Sequence, residues 1–100
     1  MPTKSFDDFL FKELKDRELA AGYLSASLEG GSMEEFLLAL RHVAQVHGGL
    51  GDLSKKTDLN RQSIYKMLSE DGNPTLASLI GVLHALGFEL AFKPRTDRAA

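Results

Sequence analysis

One hundred residues, 43% of them hydrophobic, suffice for one domain with a modest core. The absence of cysteine excludes disulfides and thiolate metal sites. A formal net charge of −2 argues against a broadly basic surface, so any contact with phosphate must come from a local patch of Lys and Arg.

Residues 1–8 show no basic segment followed by an apolar run, the mark of a secretory signal. No apolar stretch approaches the ~20 residues of a membrane span. A cytoplasmic chain without a membrane partner is the expectation. A first helix is predicted over 5–15, with Ser5 and Asp8 as a weak capping box. Phe6, Phe9, Leu10 and Leu14 share one face of it, and Phe11 falls off that face. Asp16 is placed to cap a second helix running to about Glu29, whose apolar stripe is Leu19, Ala20, Tyr23, Leu24 and Leu28. Gly30 and Gly31 end it.

Ser32 and Glu35 form a stronger capping box. The helix after it runs to about His47, with Phe36, Leu37, Leu40, Val43 and Ala44 toward the core and Glu34, Arg41 and Gln45 toward water. Gly48 and Gly49 stop it. Two short helices follow in LGDLSKKTDLNRQSIYKML: one over 50–57, a tight turn through Asp58 and Leu59, and a second after Asn60. Leu53, Thr57, Leu59, Ile64, Met67 and Leu68 would pin the pair at a steep angle, and Ser54 is small enough for their closest approach. The run EDGNPT is dense in turn residues. Thr75 then caps a helix with Leu76, Leu79, Ile80, Leu83 and Leu86 inside, ended by Gly87.

Residues 88–93 alternate, with Phe88, Leu90 and Phe92 on one side. A lone strand in a helical chain leaves backbone groups unpaired, so pairing with a second copy is expected, and Phe88, Leu90 and Phe92 are the expected dimerisation residues. A short extended tail folded over the core is the alternative. Residues 94–100 read as a flexible tail.

The two short helices have the pattern of a DNA-binding helix-turn-helix, whose second helix enters the major groove. At about 100° per residue, Ile64, Met67 and Leu68 share one direction, and Gln62 and Lys66 point the other way with Ser63 and Tyr65 beside them. Arg61 stands in the first turn and Asn60 at the cap. Arg suits the paired acceptors of guanine and Gln the acceptor–donor pair of adenine. Ser63, Tyr65 and Lys66 suit phosphates or a thymine methyl, and Lys55 and Lys56 can hold the backbone. Between Leu50 and Glu70 the four bases Lys55, Lys56, Arg61 and Lys66 stand against the acids Asp52, Asp58 and Glu70. The patch is small enough that two heads should be needed for firm binding.

No catalytic set emerges. His42 and His47 are spaced so that they do not stack on one helical face, and no Cys or carboxylate completes a metal set with them or His84. Gly48, Gly49 and Gly51 lack the Gly-Lys-Ser/Thr of a phosphate loop. No enzyme, metal or cofactor is expected.

The run GGLGDLSKKTDLNRQSIYKMLSEDGNPTLASLIGVLHALGFEL resembles the lambda-repressor-like helix-turn-helix proteins of the Xre superfamily. Within them it is most similar to the probable addiction module antidote proteins, the HigA-type antitoxins. The upstream EEFLLALRHVAQVHGG and YLSASLEGG fit too. The resemblance implies an all-α fold: a five-helix helix-turn-helix domain over 32–93, a helical extension over 1–31 that is available to a toxin, and a short C-terminal strand. It implies an antitoxin of a type II toxin–antitoxin module that binds double-stranded operator DNA as a homodimer, represses its own operon and neutralises a RelE/ParE-family toxin. The DNA-reading positions carry over to Asn60, Arg61, Gln62, Ser63, Tyr65 and Lys66. The sequence departs from the general pattern at Leu50, where a phosphate-binding Gln is common, at Ser54, where Ala is common, and at Asp58, where Gly is common. A stand-alone transcriptional regulator without a toxin is the alternative. The acidic first half would attract a basic partner, and Phe11, with Phe6, Phe9, Leu10 and Tyr23, offers it aromatic anchors; the alternative is that these residues simply pack the N-terminal helices onto the rest.

Overall fold

The computed structural model describes residues 2–96, with side chains from Asp8 onward. Its helices are α1 (Pro2–Leu14), α2 (Arg17–Glu29), α3 (Met33–Val46), α4 (Gly49–Lys56), α5 (Arg61–Met67) and α6 (Leu76–Ala85). The all-α class is as expected. Residues 32–93 hold four helices rather than five. The stretch between α5 and α6, with Gly72, Asn73 and Pro74, has no continuous set of backbone donors for another helix.

The expected caps at Asp16, Ser32 and Thr75 are made, whereas α1 begins at Pro2 rather than at the expected Ser5, whose side chain lies outside the described ones. Asp16 Oδ1 accepts from the amides of Glu18 and Leu19 at 2.8 and 3.1 Å. Ser32 Oγ accepts from Glu35 N at 3.1 Å and Thr75 Oγ1 from Ser78 N at 3.1 Å. Each such cap is worth about 1 kcal/mol over alanine. Gly87, at φ +95, ends α6 in a Schellman turn: Phe88 N donates to the Leu83 carbonyl and Gly87 N to that of His84.

Helix α3 runs through the middle of the core and packs on α1, α2 and α4. Its buried face holds Phe36, Leu37, Leu40, Val43 and Ala44, as the spacing requires, together with Ala39. Around it gather Leu14 of α1, Ala20 and Leu24 of α2, Leu53 of α4, Ile64 and Met67 of α5, and Val82 and Leu83 of α6. One cluster therefore spans the boundary expected at residue 31, which falls in the Gly30–Gly31 turn.

Several side chains face otherwise than the periodicity suggests. Phe9 is 61% exposed, whereas Phe11 turns inward against the His42 ring, 5.8 Å between centroids. The buried face of α1 is thus Leu10, Phe11 and Leu14, one step round from the expected one, because α3 supplies the ring that Phe11 meets. The place expected for Phe6 lies outside the described side chains. In α2, Leu19 and Leu28 are about half exposed, and the stripe narrows to Ala20, Tyr23 and Leu24. Leu76 of α6 faces water rather than the core.

Arg41 does not point to water. Its Nη1 donates to the carbonyl of Leu68, the C-cap of α5. Arg17 Nε donates to the carbonyl of Leu86, the C-cap of α6, at 3.3 Å. His47 Nε2 donates to the carbonyl of Leu14, the last residue of α1, at 2.8 Å. Three side chains thus satisfy carbonyls that helix ends leave without partners.

The expected C-terminal strand is absent from the described residues. A single extended segment has no neighbouring strand to share a ladder with. Phe88 and Leu90 instead lie half-buried against the core, beside Leu24, Leu28, Phe36 and Leu83. Phe92 stands out at 93% exposure. Of the tail expected over 94–100, residues 97–100 lie outside the description.

Candidate nucleic-acid interface

The site begins at Thr57, where α4 ends in extended backbone. Its hydroxyl donates to the Leu53 carbonyl at 3.1 Å and accepts from Leu59 N at 3.2 Å, so one side chain fixes both the exit from α4 and the turn. Asn60 then caps α5, its Oδ1 accepting from Ser63 N at 2.7 Å. Leu53, Ile64, Met67 and Leu68 are buried and Leu59 is half-buried, which locks the two short helices together. Ser54 is half-buried, and its hydroxyl returns to the Gly51 carbonyl at 2.7 Å.

The seven residues of α5 divide cleanly. Ile64 and Met67 face inward; Arg61, Gln62, Ser63, Tyr65 and Lys66 are exposed. Lys55 and Lys56 are exposed at the end of α4 and Asn60 at the start of α5, so all eight residues expected to meet DNA lie on accessible surface around one turn. They are not equally free. Lys56 Nζ pairs with Asp52 Oδ2 at 3.0 Å. Arg61 Nη2 donates to the Tyr65 hydroxyl at 3.2 Å, and its Cζ stands 5.9 Å from the ring centroid. That guanidinium also lies beside Gly51. Nothing in the local sequence relates Gly51 to a residue ten positions on. Lys55 and Lys66 make no ion pair among the described residues.

This arrangement presents hydrogen-bond donors and acceptors on the outer side of a short helix. The clefts beside it are open and lined by residues such as Lys56, Asp58, Ala77, Ser78 and Gly81. His42 and His47 are engaged by Tyr23 and Leu14, and His84 is exposed on α6. Among the described residues no group of His, Asp and Glu could hold a metal ion, and no helix is long and apolar enough to cross a membrane.

A family model for probable addiction module antidote proteins matches residues 3–94. The chain belongs to that family. The match takes in α1 and α2 as well as the helix pair, so the antidote family is defined over nearly the whole chain. An uncharacterized protein of Haemophilus influenzae is 30% identical over 99 residues, covering 98% of this chain and 99% of that protein. No solved structure matches the chain. An antidote implies a toxin as its partner in general terms.

Proposed function

We propose that this antidote is the antitoxin of a type II toxin–antitoxin module, a cytoplasmic repressor that binds its own operator as a homodimer and neutralises a RelE/ParE-like toxin. The α4–turn–α5 unit is read as a lambda-repressor-like helix-turn-helix of the Xre and HigA type. One observation carries the DNA reading: α5 is buried on its apolar side and open on the side bearing Arg61, Gln62, Ser63, Tyr65 and Lys66. Such a helix can enter a major groove without any rearrangement of the core. Arg61 and Gln62 read base edges; Lys55, Lys56, Ser63, Tyr65 and Lys66 hold phosphates or thymine methyls. The exposed acids Asp8, Glu18, Glu29, Glu34 and Glu35 of the first three helices, with the cap Asp16, give a basic toxin an attractive approach.

The test is a gel shift with the DNA upstream of the gene, together with co-expression of the neighbouring gene product. The parent should retard that DNA, and Arg61→Ala or Gln62→Ala should weaken binding by about 1–3 kcal/mol, the worth of a bidentate base contact. The neighbouring product should arrest growth alone and be silenced by this chain. Parent protein that leaves its own promoter unshifted overturns the DNA reading. Binding without any neutralised neighbour leaves a stand-alone regulator.

A further inference from the structure

Helix α6 differs in composition from every other helix. Its sequence, LASLIGVLHA, contains no Asp, Glu, Lys or Arg, whereas each of the others carries at least two charged residues. A helix apolar on all sides belongs inside a protein. Only Val82 and Leu83 are buried, however, and α4 is the helix against which α6 chiefly packs. Leu76 is 61% exposed; Ala77, Gly81 and His84 are exposed, and Ile80 is half-buried. At about 100° per residue these five fall in one arc, opposite Val82 and Leu86. The result is a continuous uncharged stripe, two residues wide, along the outside of the molecule.

We propose that a second copy of this chain covers that stripe, α6 against α6 across a two-fold axis. The reasoning is one of charge and shape. A stripe with no formal charge gives nothing to a phosphate backbone and nothing to a basic toxin. It does fit its own copy, because an isologous interface sets each residue against the same surface and penalises like charges. Ala77 and Gly81 keep the backbone accessible, and nothing lies within 4 Å of where a side chain at Gly81 would begin. The stripe also borders the reading turn: one cleft is walled by Lys56, Thr57, Asp58 and Leu59 on one side and Ala77, Ser78 and Gly81 on the other. Pairing there sets two α4–α5 turns beside the axis. Phe88 and Leu90, the residues expected to pair as a strand, already rest on their own core. This deepens the homodimer part of the function proposed above by naming its surface.

The experiment is sedimentation of the full chain, with helicity checked by circular dichroism. The parent should sediment as a dimer. Gly81→Glu and Ala77→Glu should be folded monomers, since both positions are exposed in the single chain, and Phe92→Glu should stay dimeric. A monomeric parent overturns the proposal. So do folded Gly81→Glu and Ala77→Glu proteins that remain dimers, or a Phe92→Glu monomer beside them. Should one glutamate variant fail to fold, the other decides. A parent that dimerises through α6 and fails to shift its promoter overturns the DNA reading and leaves this interface standing.

Discussion

The guanidinium of Arg17 donates from Nε to the carbonyl of Leu86, 3.3 Å away and 69 residues on in the chain. It joins the first residue of α2 to the end of α6. Gly87 makes room for it: at φ +95, a Cβ there would lie 2.7 Å from Arg17 Nε.

Gly87→Ala should therefore destabilise the fold twice over, by left-handed backbone strain and by displacing Arg17. A loss of about 1–3 kcal/mol is expected in urea unfolding. Arg17→Met should lose about 1 kcal/mol, because the contact is partly open to solvent. The double variant should lose less than the two added together, since both changes act on one contact. Full additivity would separate the glycine's role from the arginine's.

Tyr23 gives an alkaline signature. Its hydroxyl lies 2.8 Å from His42 Nδ1, and burial raises its pKa above the ordinary 10.0. The unfolded chain then gives up this proton at lower pH than the folded one. Tyr23 consequently contributes no pH dependence below about pH 10 and costs stability as pH rises from there through its folded value. Urea midpoints of the parent should fall more steeply above pH 10 than those of Tyr23→Phe. Parallel curves would show that the phenol is equally ready to ionise in both states.

The basic residues around the reading turn should separate by salt dependence. Lys55→Ala and Lys66→Ala should each lower the slope of log affinity against log salt by about 1, one phosphate contact apiece, at every DNA sequence. Lys56→Ala should lower it less, since Lys56 is shared with Asp52 at 3.0 Å. Arg61→Ala should change which sequence is preferred. Equal slopes for all four proteins and the parent would mean that the phosphates lie elsewhere.

What was legible in the sequence was what neighbours along the chain decide. Asp16, Ser32, Asn60 and Thr75 were readable as caps because a cap reaches only two or three residues ahead. The inward side of α3 was readable because one helix with strong periodicity leaves a single choice of face. The division of α5 was readable for the same reason. Distant partners were not legible. Phe11 turns inward because His42 of α3 waits there. Arg41 reaches Leu68 across 27 residues and His47 reaches Leu14 across 33, and neither spacing leaves a mark in the local pattern. The alternation of residues 88–93 was real, but Phe88 and Leu90 use it to settle on helices.

The shared cluster has a bearing on lifetime. Leu14, Ala20 and Leu24 cover α3, which packs on α4, and α4 in turn on α5, so they belong to one buried cluster with Ile64 and Leu68. A protease that nicks the turn at Gly30 and Gly31 and carries off the front of the molecule would unroof that interior. The remaining helices would then lose the side chains that cover α3, so a single cleavage there should destabilise the rest of the chain as well.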